Sequence, residues 1–211
     1  MKTLAFKLPL LLLILLLCAG SICVAAPNDP MGIVKDGTQR ALVILREPIN
    51  TANKEAVNRR RDRIMEIVEE YFDYHEMARR TLGRYWKQQQ PEKLQEFETL
   101  FQRLLYRAYI SYIDSYTYNN EEVFYLDERV EGDYAMVKTL VRYRERTIPV
   151  DYRLRHKKEG WKVYDVSVEG ISLVGNYRTQ FNTILGNDTF DNLLDMMRKK
   201  VENPEPEAPP K

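Results

Sequence analysis

Asp165 is the residue of this sequence best placed for acid–base chemistry. It lies in the middle of a predicted strand, in phase with Trp161 and Val163. If that face points inward, burial would raise the pKa of its carboxyl group, as a general base requires. The alternative is that Asp165 faces outward or accepts backbone amides from the turn 169–172. This structural interpretation is favoured, because no second acid–base group is evident.

Other catalytic or metal chemistry has little support in the sequence. His75 and His156 are the two histidines, and both cysteines, Cys18 and Cys23, precede residue 26. A zinc site in the rest of the chain would therefore have no cysteine ligand. The nucleophile-elbow, P-loop and dinucleotide-binding motifs are all absent. We therefore expect no catalytic residue, metal or cofactor.

Composition bounds the class of protein. The chain has 211 residues, of which 32 are basic and 31 are acidic. This length suits one domain with a sizeable core. The near balance of charge argues against a strongly basic nucleic-acid-binding protein and against an acidic disordered chain.

The two ends of the chain differ from its middle. Lys2 and Lys7 precede a leucine-rich run and small residues, which predicts a signal peptide over 1–25, cleaved after Ala25. The alternative is an uncleaved anchor, since the uncharged run 8–26 is just long enough to cross a bilayer. Residues 203–211 are acidic and rich in proline and are expected to be disordered. The folded domain is therefore predicted over 26–202.

Hydrophobic periodicity changes along this domain. Apolar residues recur every three or four positions in both outer parts, and Gly83 is expected to end one helix with a positive φ. In helix 54–72 the segment 59–63 is expected to lie outside the apolar stripe. The predicted helices are 27–46, 54–72, 74–82, 91–116, 172–185 and 189–201. The predicted strands, which alternate with period two, are 123–130, 134–143, 148–156 and 161–168.

This order of elements indicates an α+β fold. Short links between successive strands favour an antiparallel meander. We predict a curved antiparallel sheet of about four strands, with about five to six helices packed against it. Such a sheet and its helices enclose a cone, which becomes a deep apolar pocket if side chains do not fill it.

One segment resembles a known family. The run 161–174, WKVYDVSVEGISLV, followed by Asn176 to Phe181, is similar to the MlaC (toluene-tolerance) family, as are the segments 77–86 and 97–101. The resemblance implies an NTF2-like sheet with helices around a deep apolar cavity. It also implies a non-enzymatic periplasmic carrier that holds phospholipid tails and maintains outer-membrane lipid asymmetry. The implied partners are an outer-membrane lipoprotein–porin complex and an inner-membrane ABC transporter with an MCE-domain subunit, with no nucleic acid and no metal.

Candidate site residues follow from periodicity within this fold. Met77 and Leu82 could act as an adaptable gate of the pocket. The remaining predicted wall residues are Phe101, Leu104, Leu105, Tyr109, Val141, Val150, Tyr152, Leu154, Leu173 and Val174. The predicted motif residues, with a structural role, are Trp161, Asp165, Glu169, Gly170, Ser172 and Arg178. The alternative function is a small isomerase or dehydratase of the same fold, with Asp165 as general base.

Overall fold

The computed structural model describes residues 29–115, 121–143 and 145–202, and the side chains of these residues except 109–115 and 143. The predicted signal peptide (1–25) and the predicted disordered tail (203–211) lie outside the described residues. No described helix is both long and apolar enough to cross a lipid bilayer.

The helices begin where a capping side chain precedes a helical pattern. Asp29 accepts a hydrogen bond from the backbone amide of Gly32, and Asn53, Asp73 and Ser172 cap three later helices in the same way. The 3₁₀-helix that follows the third helix is absent from the sequence prediction. The elements are α1 (Pro30–Arg46), α2 (Lys54–Tyr71), α3 (Tyr74–Leu82), the 3₁₀-helix (Gly83–Gln88), α4 (Pro91–Ser115), α5 (Leu173–Leu185) and α6 (Phe190–Glu202).

The strands form one antiparallel sheet in sequence order. Four long strands are joined by tight turns, and Gly132 and Gly160 adopt the positive φ that two of these turns need. A fifth, two-residue strand pairs with the end of the fourth. The strands are β1 (Glu122–Glu131), β2 (Tyr134–Tyr143), β3 (Arg146–Lys157), β4 (Gly160–Val168) and β5 (Ile171–Ser172). The curved, open sheet with its helices confirms the predicted α+β class.

A β-bulge in β4 corrects the predicted phase of this strand. Leu154 pairs with Val163, whereas its neighbour Arg153 pairs with Asp165, so Tyr164 is an extra residue on β4. Because partners in an antiparallel pair share a face, Asp165 lies on the face opposite Val163. The sequence prediction that these two residues are in phase is wrong.

The two faces of the sheet contact different helices. The inner face, defined here as the face that carries Leu154 and Val163, packs against Val34 of α1. The outer face carries Tyr164, which joins a large core cluster, the helical cluster, formed mainly by α3, α4, α5 and α6. At the edge of β4, the amide of Asp73 donates to the carbonyl of Val163 (2.8 Å) and fixes the chain between α2 and α3.

The buried stripe of α2 differs from the prediction at one position. Arg60 is only 6% exposed and lies in line with Ile64, Ile67 and Tyr71. Its guanidinium donates to the carbonyl of Leu45 (2.5 Å), one of the last carbonyls of α1, which have no partner within that helix. The expectation that the whole segment 59–63 lies outside is therefore wrong for Arg60.

Candidate functional site

The inner face is an apolar surface with two halves. In the closed half, Val34 of α1 packs on Val137, Leu154 and Val163, and Trp161 closes the end beside them. All of these side chains are buried, and Trp161, the most exposed of them, keeps 8% of its surface accessible. This half is a packed core.

The open half of the inner face lies further along the same strands. Strand register places its residues side by side, with Val123 opposite Val141 and Val150 opposite Val168. None of its eight side chains is fully buried, and Val168 is 46% exposed. These eight residues are Val123, Tyr125, Val141, Ile148, Val150, Tyr152, Val166 and Val168. The register also places Thr139 among them, between Tyr125 and Val150; it is 1% exposed, and its hydroxyl donates to the carbonyl of Val150 (2.8 Å).

Tyr152 lies deep within the protein and still presents accessible surface. Burial is the main reason that its pKa is raised to about 12, and the nearby Tyr125 adds to the effect. Tyr152 packs against the buried residues of the closed half and is paired with Val137 of that half on the neighbouring strand. Tyr152 therefore lies where the closed half meets the open half.

A cavity of about 500 Å³ separates the second half of α1 from β1. Its walls include Leu42 and Val43 of α1 and Val123 and Tyr125 of β1, with polar groups such as Arg46 among the rest. This volume lies within the usual range of small-molecule pockets. The cavity therefore has apolar surface from both α1 and the open half.

One hydrogen bond joins α1 to β1 beside this cavity. The hydroxyl groups of Thr38 and Tyr125 lie 2.5 Å apart, and the Thr38 hydroxyl is also 2.7 Å from the carbonyl of Val34. Burial raises the pKa of Tyr125, and the Thr38 bond partly offsets this. Val34, Thr38 and Leu42 follow one another by one helical turn. Along the face of α1 that points toward the sheet, the packed contact at Val34 is therefore followed by this hydrogen bond at Thr38 and then by the cavity at Leu42.

The predicted wall residues occupy three places. Leu154 is in the closed half, while Val141, Val150 and Tyr152 are in the open half. The helical residues lie in the helical cluster, where Leu82 and Phe101 are completely buried among aromatic rings, and Leu173 packs against its edge. The side chain of Tyr109 lies outside the described residues. The predicted wall residues within the helical cluster are Met77, Leu82, Phe101, Leu104, Leu105 and Val174. Their contact with a ligand stays a prediction.

The sequence prediction missed the cavity wall of α1. One stripe of α1, which includes Ile33, Gly37 and Ala41, packs against α2, with Gly37 close to the Tyr71 ring. A second stripe with the same period runs through Val34, Thr38 and Leu42. The polar Thr38 interrupts that stripe, and this is the reason that periodicity alone does not reveal it.

Asp165 holds the start of α5 against the outer face. One carboxylate oxygen accepts from the backbone amide of Val174 (3.0 Å), and the other accepts from Ser172 (2.6 Å) and Arg153 (2.8 Å). The side chain is 96% buried and lies on the other side of the sheet from the cavity. This arrangement agrees with the structural interpretation of Asp165, in which backbone amides hold the carboxylate.

The other motif residues shape the chain around this anchor. Glu169 and Gly170 both have positive φ and form the turn between β4 and β5. Ser172 caps α5 by accepting from the amide of Gly175 (2.8 Å). Arg178 is exposed on α5, and its guanidinium lies close to Gly83. Among the described residues, no group of three or more histidine, cysteine or acidic side chains could hold a metal ion.

The chain resembles known proteins in sequence and fold. The family model described as MlaC protein matches residues 35–199. The chain belongs to the MlaC family. No curated protein sequence matches it. Among solved structures, this MlaC-family chain is similar to a phospholipid-binding protein from Ralstonia solanacearum, solved in complex with a phospholipid at 1.53 Å resolution. The two chains are 23% identical, the TM-score is 0.72, and the match covers 82% of this chain and 97% of the Ralstonia chain. At this identity the likeness establishes a shared fold.

Proposed function

We propose that this protein binds a phospholipid, with acyl chains on the open half of the inner face and the headgroup toward solvent. The observation that carries the proposal is the row of Val123, Val141 and Val150, which belongs to no core cluster of the described residues. An acyl chain would cover this row and extend into the cavity beside Leu42. Membership of the MlaC family and a fold shared with a phospholipid-bound protein support the assignment.

We propose further that the protein is a periplasmic carrier. The predicted signal peptide over 1–25 and the family support export to the periplasm. The donor and acceptor would be the outer-membrane lipoprotein–porin complex and the inner-membrane ABC transporter with its MCE-domain subunit. A carrier requires an apolar cavity and a docking surface, and it does not require a catalytic group.

Transfer energetics decide how such a carrier must work. Two acyl chains of sixteen carbons contain about 30 methylenes, and exposing them to water costs roughly 0.8 kcal/mol each, or about 25 kcal/mol. A barrier of that height allows escape into water only on the order of once in 10⁶ seconds. The protein must therefore dock on a donor and receive the chains directly. Because bilayer and cavity are similarly apolar, small conformational differences then set the direction of transfer.

The experiment replaces Val150 by Asp and measures the lipid that co-purifies with the protein. A carboxylate in the middle of the open half would be desolvated by a bound acyl chain, so we expect most lipid to be lost while the protein stays folded. Lipid is quantified by native mass spectrometry and by extraction, and folding is checked by circular dichroism.

The matched control is Leu126→Asp, which adds the same charge to β1. Leu126 is 57% exposed and lies outside the cavity, so this variant should keep the wild-type amount of lipid. Lipid at the wild-type level in folded Val150→Asp protein would overturn the assignment of the chains to the open half.

A further inference from the structure

Arg60 is a buried cation whose hydrogen-bonding capacity is only partly used. Its guanidinium donates from Nη2 to the carbonyl of Leu45 (2.5 Å), and Nε and Nη1 have no hydrogen-bond partner among the residues that the structure describes. The side chain is 94% buried. Burying a charged group without partners is costly, so an arginine in this state calls for an acceptor.

A second cavity adjoins this guanidinium at the junction of α1 and α2. Its volume is about 190 Å³, enough for roughly six water molecules at about 30 Å³ each. Its lining includes Arg59, Arg60 and Arg63 with the single acid Glu47, a balance of three positive charges to one negative. Glu55 pairs with Arg59 from outside the lining, so three positive charges face two negative ones and the cavity keeps a net positive charge of one.

The two neighbouring arginines already have acidic partners. Arg63 binds Glu47 with both terminal nitrogens (2.5 and 2.7 Å), and Arg59 pairs with Glu55 (2.7 Å). The pair with Arg63 engages both carboxylate oxygens of Glu47, and Glu47 makes no hydrogen bond to Arg60. Among the three arginines that line the cavity, Arg60 is therefore the one with two buried nitrogen atoms, Nε and Nη1, that donate no hydrogen bond to a described residue.

We propose that this second cavity is a binding site for a phosphate-class oxyanion, with Arg60 as its principal contact. The planar guanidinium matches phosphate oxygens in geometry and charge. Nε and Nη1 each have less than 1 Å² of accessible surface, so the Arg60 side chain would turn toward the cavity that it lines to present these donors to the anion. The site is distinct from the lipid cavity, because it is lined by Ile44 and Glu47 at the end of α1, whereas the lipid cavity is lined by Leu42 and Val43. The phosphate could belong to inorganic phosphate or to a lipid headgroup at a membrane surface.

The test compares thermal unfolding of the purified protein in sodium phosphate and in sodium chloride at equal ionic strength. At ten times the dissociation constant, phosphate should raise the ratio of folded to unfolded protein about elevenfold and the midpoint by about 3–6 °C. Phosphate also stabilises proteins non-specifically, so the decisive quantity is the difference between wild type and Arg60→Met. We expect that variant to lose the specific shift. Arg60→Lys, which keeps the charge and lacks the planar fork, should keep only part of it.

The matched control is Arg61→Met, which removes the same charge from the next position of α2. Arg61 is only partly buried and is not part of the cavity lining, so this variant should respond to phosphate like wild type. The proposal is overturned if phosphate and chloride give wild type the same midpoint, or if Arg60→Met keeps the full shift. An equal loss in Arg61→Met would also overturn it. If Arg60→Met does not fold, the comparison of wild type with Arg60→Lys decides.

A second set of measurements distinguishes the two sources of phosphate, using vesicles of phosphatidylglycerol and phosphatidylcholine. If Arg60→Met binds these vesicles more weakly than Arg61→Met, and inorganic phosphate competes, the source is a lipid headgroup. If the two variants bind vesicles equally while the phosphate shift is specific to Arg60, the source is a soluble phosphate. Both results support the site, because each requires the specific thermal shift.

Discussion

At the scale of single residues, Glu76 is the buried acid on which the contact between α3 and the sheet depends. It is 1% exposed and accepts from Arg79 (2.6 Å), Arg80 (2.7 Å) and Arg155 of β3 (3.2 Å). Burial acts to raise its pKa, but the hydrogen bonds from Arg79 and Arg80 outweigh it and lower the pKa from 4.5 to about 2. The carboxylate of Glu76 therefore stays charged in the folded protein and links α3 to β3.

Replacing Glu76 by Gln should lower the free energy of unfolding by about 2–4 kcal/mol at neutral pH, since three arginines lose their shared negative charge and an amide NH₂ replaces one acceptor oxygen. The lowered pKa means that the stabilisation is complete above about pH 4.5 and is lost as the pH falls toward 2. The difference in the free energy of unfolding between wild type and variant, measured by urea unfolding, should shrink over that pH window.

The control is Glu55→Gln, at an exposed pair with Arg59, which should change the free energy of unfolding by at most about 1 kcal/mol. A wild-type advantage that persists undiminished at pH 2 would contradict this account of Glu76.

At the scale of elements, α1 forms one wall of the cavity of about 500 Å³ and, under the proposed function, should determine access to it. Thr38→Val keeps the shape of the side chain and removes its bond to Tyr125. We expect the free energy of unfolding to fall by about 0.5–1.5 kcal/mol and lipid uptake to become faster, because α1 separates from β1 more easily. Stopped-flow fluorescence with a labelled phospholipid measures the rate of uptake.

Thr183→Val is the matched control, since the hydroxyl of Thr183 donates to the carbonyl of Thr179 within α5 (2.9 Å). Equal uptake rates in both variants would show that this bond does not limit access.

The elements themselves were largely predictable from the sequence, whereas the site depends on how they pair. Asp73 and Ser172 are local caps, so α3 and α5 begin at the predicted positions to within one residue. The bulge at Tyr164 is not local, since which residue is extra depends on pairing with β3. Burial of Arg60 depends likewise on the end of α1, which lies 15 residues away in sequence. The sequence predicted only three residues of the open half, Val141, Val150 and Tyr152. Alternation along a strand shows which residues share a face, but it does not show what covers that face.

At the scale of the whole molecule, a carrier that receives chains by docking should treat lipids differently according to their chain number. A lipid with one sixteen-carbon chain exposes about 15 methylenes, or roughly 12 kcal/mol, and should leave a bilayer about 10⁴ times per second. It can therefore reach the cavity through water. A two-chain lipid cannot do so on any useful timescale, and its uptake should require contact between the protein and the donor bilayer.

The two routes predict different concentration dependences when labelled vesicles are mixed with lipid-free protein. For the two-chain lipid, the uptake rate should rise in proportion to both protein and vesicle concentration, because each transfer needs an encounter. If it instead became independent of protein at a rate set by the vesicles alone, the lipid would be travelling through water, and the docking mechanism would be wrong. For the one-chain lipid, exchange through water should make uptake insensitive to a permeable barrier that keeps protein and vesicles apart, whereas the same barrier should abolish two-chain uptake. Val150→Asp should reduce uptake of both lipids, because either kind of chain would have to cover the same row of valines on the open half.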